Sequence, residues 1–240
     1  MKNNLKHALL CCGDGLHARL ILKKMISSGC APETIYNETN TTTSSRVNSF
    51  LRDHYKYWPE SVRDQAEKNG LKVEQCSDLF GFENCTKILN NNHDFLVCGG
   101  CGIVPARIIR TMKKRILNAH PGLLPDFRGL DPVLWSLYKG KSLGATLHFV
   151  DSGLDTGDIL IKENLKWQYP SDLFHCRLDC MELCADLIVK FLLNPGAYEP
   201  IPQDTSAAAY YGAFNIRLSN FRQIIEKYKY DETHGNVCNE

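Results

Sequence analysis

Residues Ile116 to Ile159 read ILNAHPGLLPDFRGLDPVLWSLYKGKSLGATLHFVDSGLDTGDI. The apolar pair Ile116-Leu117 opens an extended segment, and Asn118 and His120 follow two apart, so with a side-chain period of two both point to one face. Pro121 cannot continue a central ladder, and Gly122, Pro125 and Gly129 keep the next residues irregular, so the amide and the imidazole sit where a strand ends and a loop begins. Asp131-Pro132 has the form of an N-cap with proline in the first helical turn. Trp135, Leu137 and Tyr138 belong to the short helix that Gly140 ends. Ala145, Leu147 and Phe149 then alternate with Thr146, His148 and Val150 as a returning strand, and DSGLDTGD is a second loop carrying Asp151, Asp155 and Asp158. An acid thereby approaches the amide and the imidazole at the strand ends, where α/β sheets build their sites.

Upstream the same alternation repeats. His7 to Cys12 is a buried strand, Gly13-Asp14-Gly15 the turn after it, and Leu16 to Ser28 a helix closed by Gly29. Gly13 and Gly15 either lie near a substrate, with backbone N–H groups at a helix N-terminus, or simply make a strand-to-helix turn. The sixth position of a full dinucleotide fingerprint is Ala18, so that motif is incomplete. Thr34 to Tyr36 is a second strand and Asn37 to Ser45 a polar loop. Helical segments follow over Ser45 to Lys56 and Glu60 to Asn69, with a strand at Leu71 to Gln75, a brief helix at Cys85 to Asn90 and a core strand at Asp94 to Cys98. Gly99 to Pro105 is a glycine-rich loop leading into a helix at Pro105 to Met112. Downstream, Ile159 to Trp167 is a strand, Ser171 caps a long helix through Leu193, and Ala213 to Tyr230 is a short strand or helix before a polar tail. The expected fold is doubly wound α/β with a mostly parallel, Rossmann-like sheet. Residues 1–211 form the catalytic domain and 212–240 a short C-terminal extension and tail.

The chain has 240 residues, 43% hydrophobic and 23% charged, enough for one full core. A net charge of +1 gives no general attraction to nucleic acid or to an acidic membrane. The apolar run near the N-terminus is too short for a signal peptide core or a membrane span, so a cytoplasmic location is expected. The eleven cysteines are odd in number and lack a secretory context, which favours reduced thiols. Cys98 and Cys101 have redox spacing but flank a strand end instead of opening a helix. Cys176, Cys180 and Cys184 lie along one helical stripe, as small core residues do, and one straight face cannot wrap a zinc ion.

An amide, an imidazole and a carboxylate suit the attack of an amine on an activated carbonyl carbon. Asn118 donates N–H to an oxyanion, His120 donates as imidazolium or moves a proton, and Asp155 takes the proton the amine must lose. No metal is called for, because no paired-histidine ligand motif accompanies His120 and Asp155.

The motif N-x-H-P-x-x-L-P-x-x-R-G at 118–129, followed by H-F-V-D-x-G-L-D-T-G at 148–157, resembles the signature of the folate-dependent formyltransferases. That family includes glycinamide ribonucleotide transformylase, methionyl-tRNA formyltransferase and the N-formyltransferases of nucleotide-linked amino sugars. The resemblance is strongest from Asp94 to Ile161 and stays collinear to about Tyr211. It implies Asn118, His120 and Asp155 as the catalytic set and 10-formyltetrahydrofolate as formyl donor. It also implies a cofactor site at Cys101, Gly102, Ile103 and Val104, joined by Asp151, Gly153 and Leu154, and a substrate site with Gly13, Gly15, Arg128 and Trp135. Arg128 to Ser136 and Asp155 to Asp158 look most like the sugar enzymes, which makes a nucleotide-linked amino-dideoxy sugar of the dTDP type the expected acceptor. In the purine enzyme the first turn holds a phosphate with small hydroxyl and amide side chains, whereas here stand Asp14, Leu16 and His17, and an acid at that turn would repel a phosphate monoester. Glycinamide ribonucleotide is the alternative acceptor, and a nucleotide-binding domain without chemistry is the alternative of another class. The expected partners are small molecules alone, with no nucleic acid and no membrane; a homodimer is compatible with the sequence.

Overall fold

The computed structural model describes residues 5–39, 59–113, 115–165, 173–206 and 208–214. The helix expected over Ser45 to Lys56, the cap at Ser171 and the segment from 215 to Tyr230 lie outside them. Strands β1 (His7–Cys12), β2 (Thr34–Glu38), β3 (Lys72–Cys76), β4 (Phe95–Cys98), β5 (Ile116–His120), β7 (Gly144–Phe149) and β8 (Ile159–Asn164) form one sheet in the order β3-β2-β1-β4-β5-β7-β8. All pairings are parallel except those of β7, which runs antiparallel to both β5 and β8. A two-stranded ribbon joins β6 (Arg128–Gly129) to β9 (Tyr210–Tyr211).

The helices are α1 (Leu16–Ser27), α2 (Val62–Lys68), α3 (Phe82–Asn90), α4 (Ala106–Met112), α5 (Pro132–Tyr138) and α6 (Leu173–Leu193). They cover both faces of the sheet, so its central strands are apolar on both sides. In β1, Leu9 and Cys11 join a core with α1 and α6, while Ala8 and Leu10 join the opposite core with α3 and α4. Cys176, Cys180 and Cys184 are buried core residues of α6, each about as accessible as its apolar neighbours. The cysteines of the described residues are free thiols.

Element boundaries moved by a few residues. Strand β2 continues two residues past Tyr36, because its register with β1 runs to Cys12↔Glu38. Helix α3 begins at Phe82, three residues early, behind Gly81. Asp131 stands at the N-cap of α5 but in the left-handed region (φ 51°), and its side chain makes no capping bond. Its carboxylate instead pairs with Arg177 and accepts from the Phe214 N–H at 3.0 Å. All six residues of β7 are buried, so the Thr146 and His148 face does not look to water. Lying between β5 and β8, β7 must satisfy those polar groups internally.

The sheet order places a switch point between β1 and β4: β1 is followed by β2 on one side, and β4 by β5 on the other. Loops leaving the C-terminal ends of β1, β4 and β5 therefore flank one crevice.

Candidate active site

Strand β5 ends at that crevice with Asn118 and His120 separated by Ala119, as the period of two requires. The Asn118 Nδ2 donates to His148 Nε2 at 3.1 Å. The opposite ring nitrogen, Nδ1, donates to the Phe149 carbonyl at 2.8 Å, which fixes the tautomer with a lone pair on Nε2. His148 is directly opposite Asn118 in the β5–β7 register, so one strand holds the amide and its neighbour orients it. Burial pushes the His148 imidazole well below its ordinary value, which keeps it an acceptor for the amide. Because an amide nitrogen carries two hydrogens, one remains for a ligand oxygen.

His120 Nε2 donates to the Phe127 carbonyl at 2.7 Å, and its Nδ1 faces Asp155 Oδ2 at 3.7 Å. Burial holds this imidazole below its ordinary value against the opposing pull of Asp155 and of the Phe127 carbonyl. The loop that supplies Phe127 is pinned by Thr146, whose hydroxyl accepts from Leu124 N–H at 3.0 Å and donates to the Gly122 carbonyl at 2.8 Å. Lys162 adds a bond to the Leu124 carbonyl at 3.1 Å.

Asp155 sits in the left-handed region (φ 54°), unusual for a residue with a side chain. Its Oδ2 accepts from Gly129 N–H at 2.9 Å, and its Oδ1 is 3.7 Å from His148 Nε2. Gln203 Nε2 donates to the Asp155 carbonyl at 3.2 Å and also to that of Gly157, holding the loop from behind. Asp151 Oδ1 closes the preceding turn by accepting from Gly153 N–H and from Thr156 Oγ1. The 3.7 Å distances are charge contacts across a gap, not hydrogen bonds.

A cleft of about 480 Å³ opens from this cluster. One wall is Cys101 through Val104, the other includes Asp151, Gly153 and Leu154, and Asn118, His148 and Asp155 close the inner end. Ile103 and Leu154 are exposed at 78% and 49% and form an apolar rim. Gly100 and Gly102 have positive φ (79° and 74°), which folds the 99–105 loop so that its backbone lines the cleft.

The residues expected around an acceptor are spread more widely. Gly13 (φ 74°) and Gly15 form the turn into α1. Arg128 donates to the Ala208 carbonyl at 2.8 Å, and Trp135 Nε1 donates to the Gly212 carbonyl at 2.9 Å. Trp135 also packs against Tyr211 and Phe214, so these two side chains hold the segment at 208–214. Asp14 does not confront the crevice as a bare charge. One carboxylate oxygen accepts from Val62 N–H at 2.8 Å at the start of α2, and the other pairs with Arg19. The expected repulsion of a phosphate by Asp14 is therefore largely cancelled by its own cation.

His148 and Thr146 were not singled out by the sequence reading. Both stand on the polar side of an alternating strand, which matches an ordinary solvent-facing edge, and although His148 opens the second signature motif, that motif alone gives it no role. Their work becomes visible once β7 is seen to lie inside the sheet.

The doubly wound α/β sheet thus gathers an amide and two imidazoles from β5 and β7 and a carboxylate from the loop that follows β7. The sequence profile of the formyl transferase family matches residues 6–169, and the chain belongs to that family. Methionyl-tRNA formyltransferase of Caldicellulosiruptor saccharolyticus is 34% identical over 155 residues, 63% of this chain and 50% of that protein. The chain thus spans about half the length of the curated relatives it matches. Phosphoribosylglycinamide formyltransferase of Anaplasma phagocytophilum has the same fold, with a TM-score of 0.62 at 17% identity over 88% of this chain and all (100%) of that one. A formyltransferase of Anoxybacillus kamchatkensis, solved with UDP-4,6-dideoxy-4-formamido-L-AltNAc and tetrahydrofolate, gives a TM-score of 0.53 at 23% identity over 93% and 90% of the two chains.

Proposed function

We propose that the chain transfers a formyl group from 10-formyltetrahydrofolate to the primary amine of a nucleotide-linked amino-dideoxy sugar. The observation that carries the transfer is the cleft itself: a mostly apolar slot between the 99–105 loop and the 151–154 turn, lined also by Asn118 and Asp155. A flat heteroaromatic donor fits such a slot, with backbone groups of 101–104 for its ring edge and Ile103 and Leu154 over its apolar body. The residues of the 99–105 loop and of the 151–154 turn would hold the folate, which supplies an activated formyl carbon.

The chain's own part follows from the geometry. The free Asn118 N–H donates to the formyl oxygen and strengthens its hold as the C=O bond becomes C–O⁻ on attack by the amine nitrogen. The amine must lose a proton as its new C–N bond forms, and Asp155 accepts it. His120 enters neutral, with the Nδ1 lone pair toward Asp155, so it receives a proton from that side and its imidazolium is stabilised by the carboxylate. Collapse of the tetrahedral intermediate breaks the bond to the folate nitrogen, which takes up the proton, and the formamide leaves.

The sugar acceptor is supported by the likeness of Arg128 to Ser136 and of Asp155 to Asp158 to the sugar enzymes, and by the sugar nucleotide held in the A. kamchatkensis neighbour. Glycinamide ribonucleotide is the second reading, favoured by the Arg19–Asp14 pair, which removes an electrostatic obstacle to its phosphate. The test is to incubate the full chain with 10-formyltetrahydrofolate and dTDP- or UDP-linked amino sugars and to look by mass spectrometry for the addition of one CO. A sugar formamide formed in step with tetrahydrofolate supports the proposal. Folate turnover only with glycinamide ribonucleotide would replace the acceptor.

A further inference from the structure

His17 is an imidazole at the catalytic end of the sheet that the reaction above does not use. It lies in the first turn of α1, directly after the Gly13-Asp14-Gly15 turn that leaves β1. That turn flanks the switch point between β1 and β4, beside the crevice that Asn118 lines from β5. The first turn of α1 packs on the start of the 99–105 loop, since a Cβ on Gly99 would meet Ala18 at 3.4 Å. His17 shows an edge to solvent, but its Nε2 is sealed from water and has no hydrogen-bond partner among the described residues. A buried polar atom left without a partner costs free energy that a ligand group recovers on binding. Burial, with a smaller push from nearby His120, brings this imidazole down to about 4, so it is uncharged at neutral pH.

We infer that His17 is a specificity-determining residue that hydrogen-bonds an uncharged polar group of the acceptor, a ring hydroxyl or an amide, close to the attacking amine. The inference rests on the formyl-transfer reading and narrows its acceptor. A phosphate monoester at this turn would want a cation, and a neutral imidazole offers it one hydrogen bond and no charge. The neighbouring cation, Arg19, is already committed to Asp14 and to the Pro59 carbonyl. A hydroxyl-bearing sugar ring matches what remains, and a site built to bond one hydroxyl discriminates strongly against acceptors that lack it.

Initial-rate kinetics of the full chain with 10-formyltetrahydrofolate test this, using a dTDP-linked 4-amino-4,6-dideoxy hexose and glycinamide ribonucleotide as acceptors. His17→Ala is expected to raise the amino-sugar KM by ~10-fold or more with a smaller fall in kcat, as loss of a ground-state contact requires. Binding of folinic acid, followed by fluorescence, should match wild type and shows that the variant is folded. His17→Gln, which keeps a neutral hydrogen-bonding group, should recover most of the lost KM. An unchanged acceptor KM in His17→Ala, or a loss that His17→Gln does not relieve, overturns the role of His17 while leaving the transfer reading standing. A wild-type enzyme that formylates no amino sugar overturns the sugar acceptor itself, a result independent of either variant.

Discussion

The Asp155 carboxylate and the His120 imidazole face each other across 3.7 Å, each fixed by a backbone partner of its own: Gly129 N–H for the acid and the Phe127 carbonyl for the ring. Both partners come from the short connection between β5 and α5, Phe127 just before β6 and Gly129 within it, so one stretch of chain sets the spacing of the pair.

Replacement of Asn118, His120 or Asp155 by Ala is expected to lower kcat by ~10²-fold or more, the usual cost of losing an oxyanion donor or a proton-transfer group. Asp155→Asn is the more informative variant, because it keeps the Gly129 bond and removes only the charge. Near-normal kcat at saturating donor and acceptor in any two of these variants would exclude the mechanism.

His148 positions Asn118 and does not need to touch substrate. His148→Phe should leave the amide free to rotate and lower kcat by roughly 10-fold, less than direct removal of Asn118, with little change in folate affinity. A loss as large as that of Asn118→Ala would mean that the imidazole enters the chemistry itself.

Stability should fall on mild acidification. The His17 imidazole is held near 4 and that of His148 near the same value, against an ordinary 6.5. Between pH 6.5 and 4 the unfolded chain therefore binds more protons than the folded one, and stability rises with pH through that window. The contribution is complete above 6.5 and is lost as the pH drops toward 4, on the order of 3 kcal/mol for each buried imidazole. Urea unfolding of wild type and His17→Gln at pH 7.5 and pH 5 measures it, and the variant should show the shallower dependence.

Gly157 is required by packing: a Cβ there would overlap the Phe149 carbonyl, with Asp151 N next in line. Gly157→Ala should displace the turn that carries Asp155 and cost on the order of 1–3 kcal/mol, with activity lost along with it. Thermal unfolding together with kcat checks this, and a variant with wild-type Tm and rate would show that the turn adapts.

Much of this site was legible because its key residues obey short-range rules. The period of two puts Asn118 and His120 on one face, and proline and glycine place the loops, so the trio is legible from residue types and spacing, whereas the residues of the cleft walls are named only by the family resemblance. The supporting groups were not legible, because their roles depend on which strands become neighbours. His148 and Thr146 look like the wet side of an edge strand until β7 is placed between β5 and β8. Asp14 looks like an exposed acid until Arg19 and the Val62 N–H, one of them distant in sequence, are brought to it. Asp131 has the composition of a cap, but tertiary partners, Arg177 and Phe214, took its carboxylate.

The most direct measurement is side-by-side kinetics of the full chain with 10-formyltetrahydrofolate and two acceptors, a dTDP-linked 3- or 4-amino-dideoxy hexose and glycinamide ribonucleotide. The expected result is formylation of the sugar amine with kcat/KM at least ~100-fold above that for the ribonucleotide, a gap of about 2.7 kcal/mol in transition-state binding, and its abolition in Asp155→Asn. A higher value for glycinamide ribonucleotide would contradict the sugar acceptor, and no formyl transfer to either amine would contradict the reading of the site.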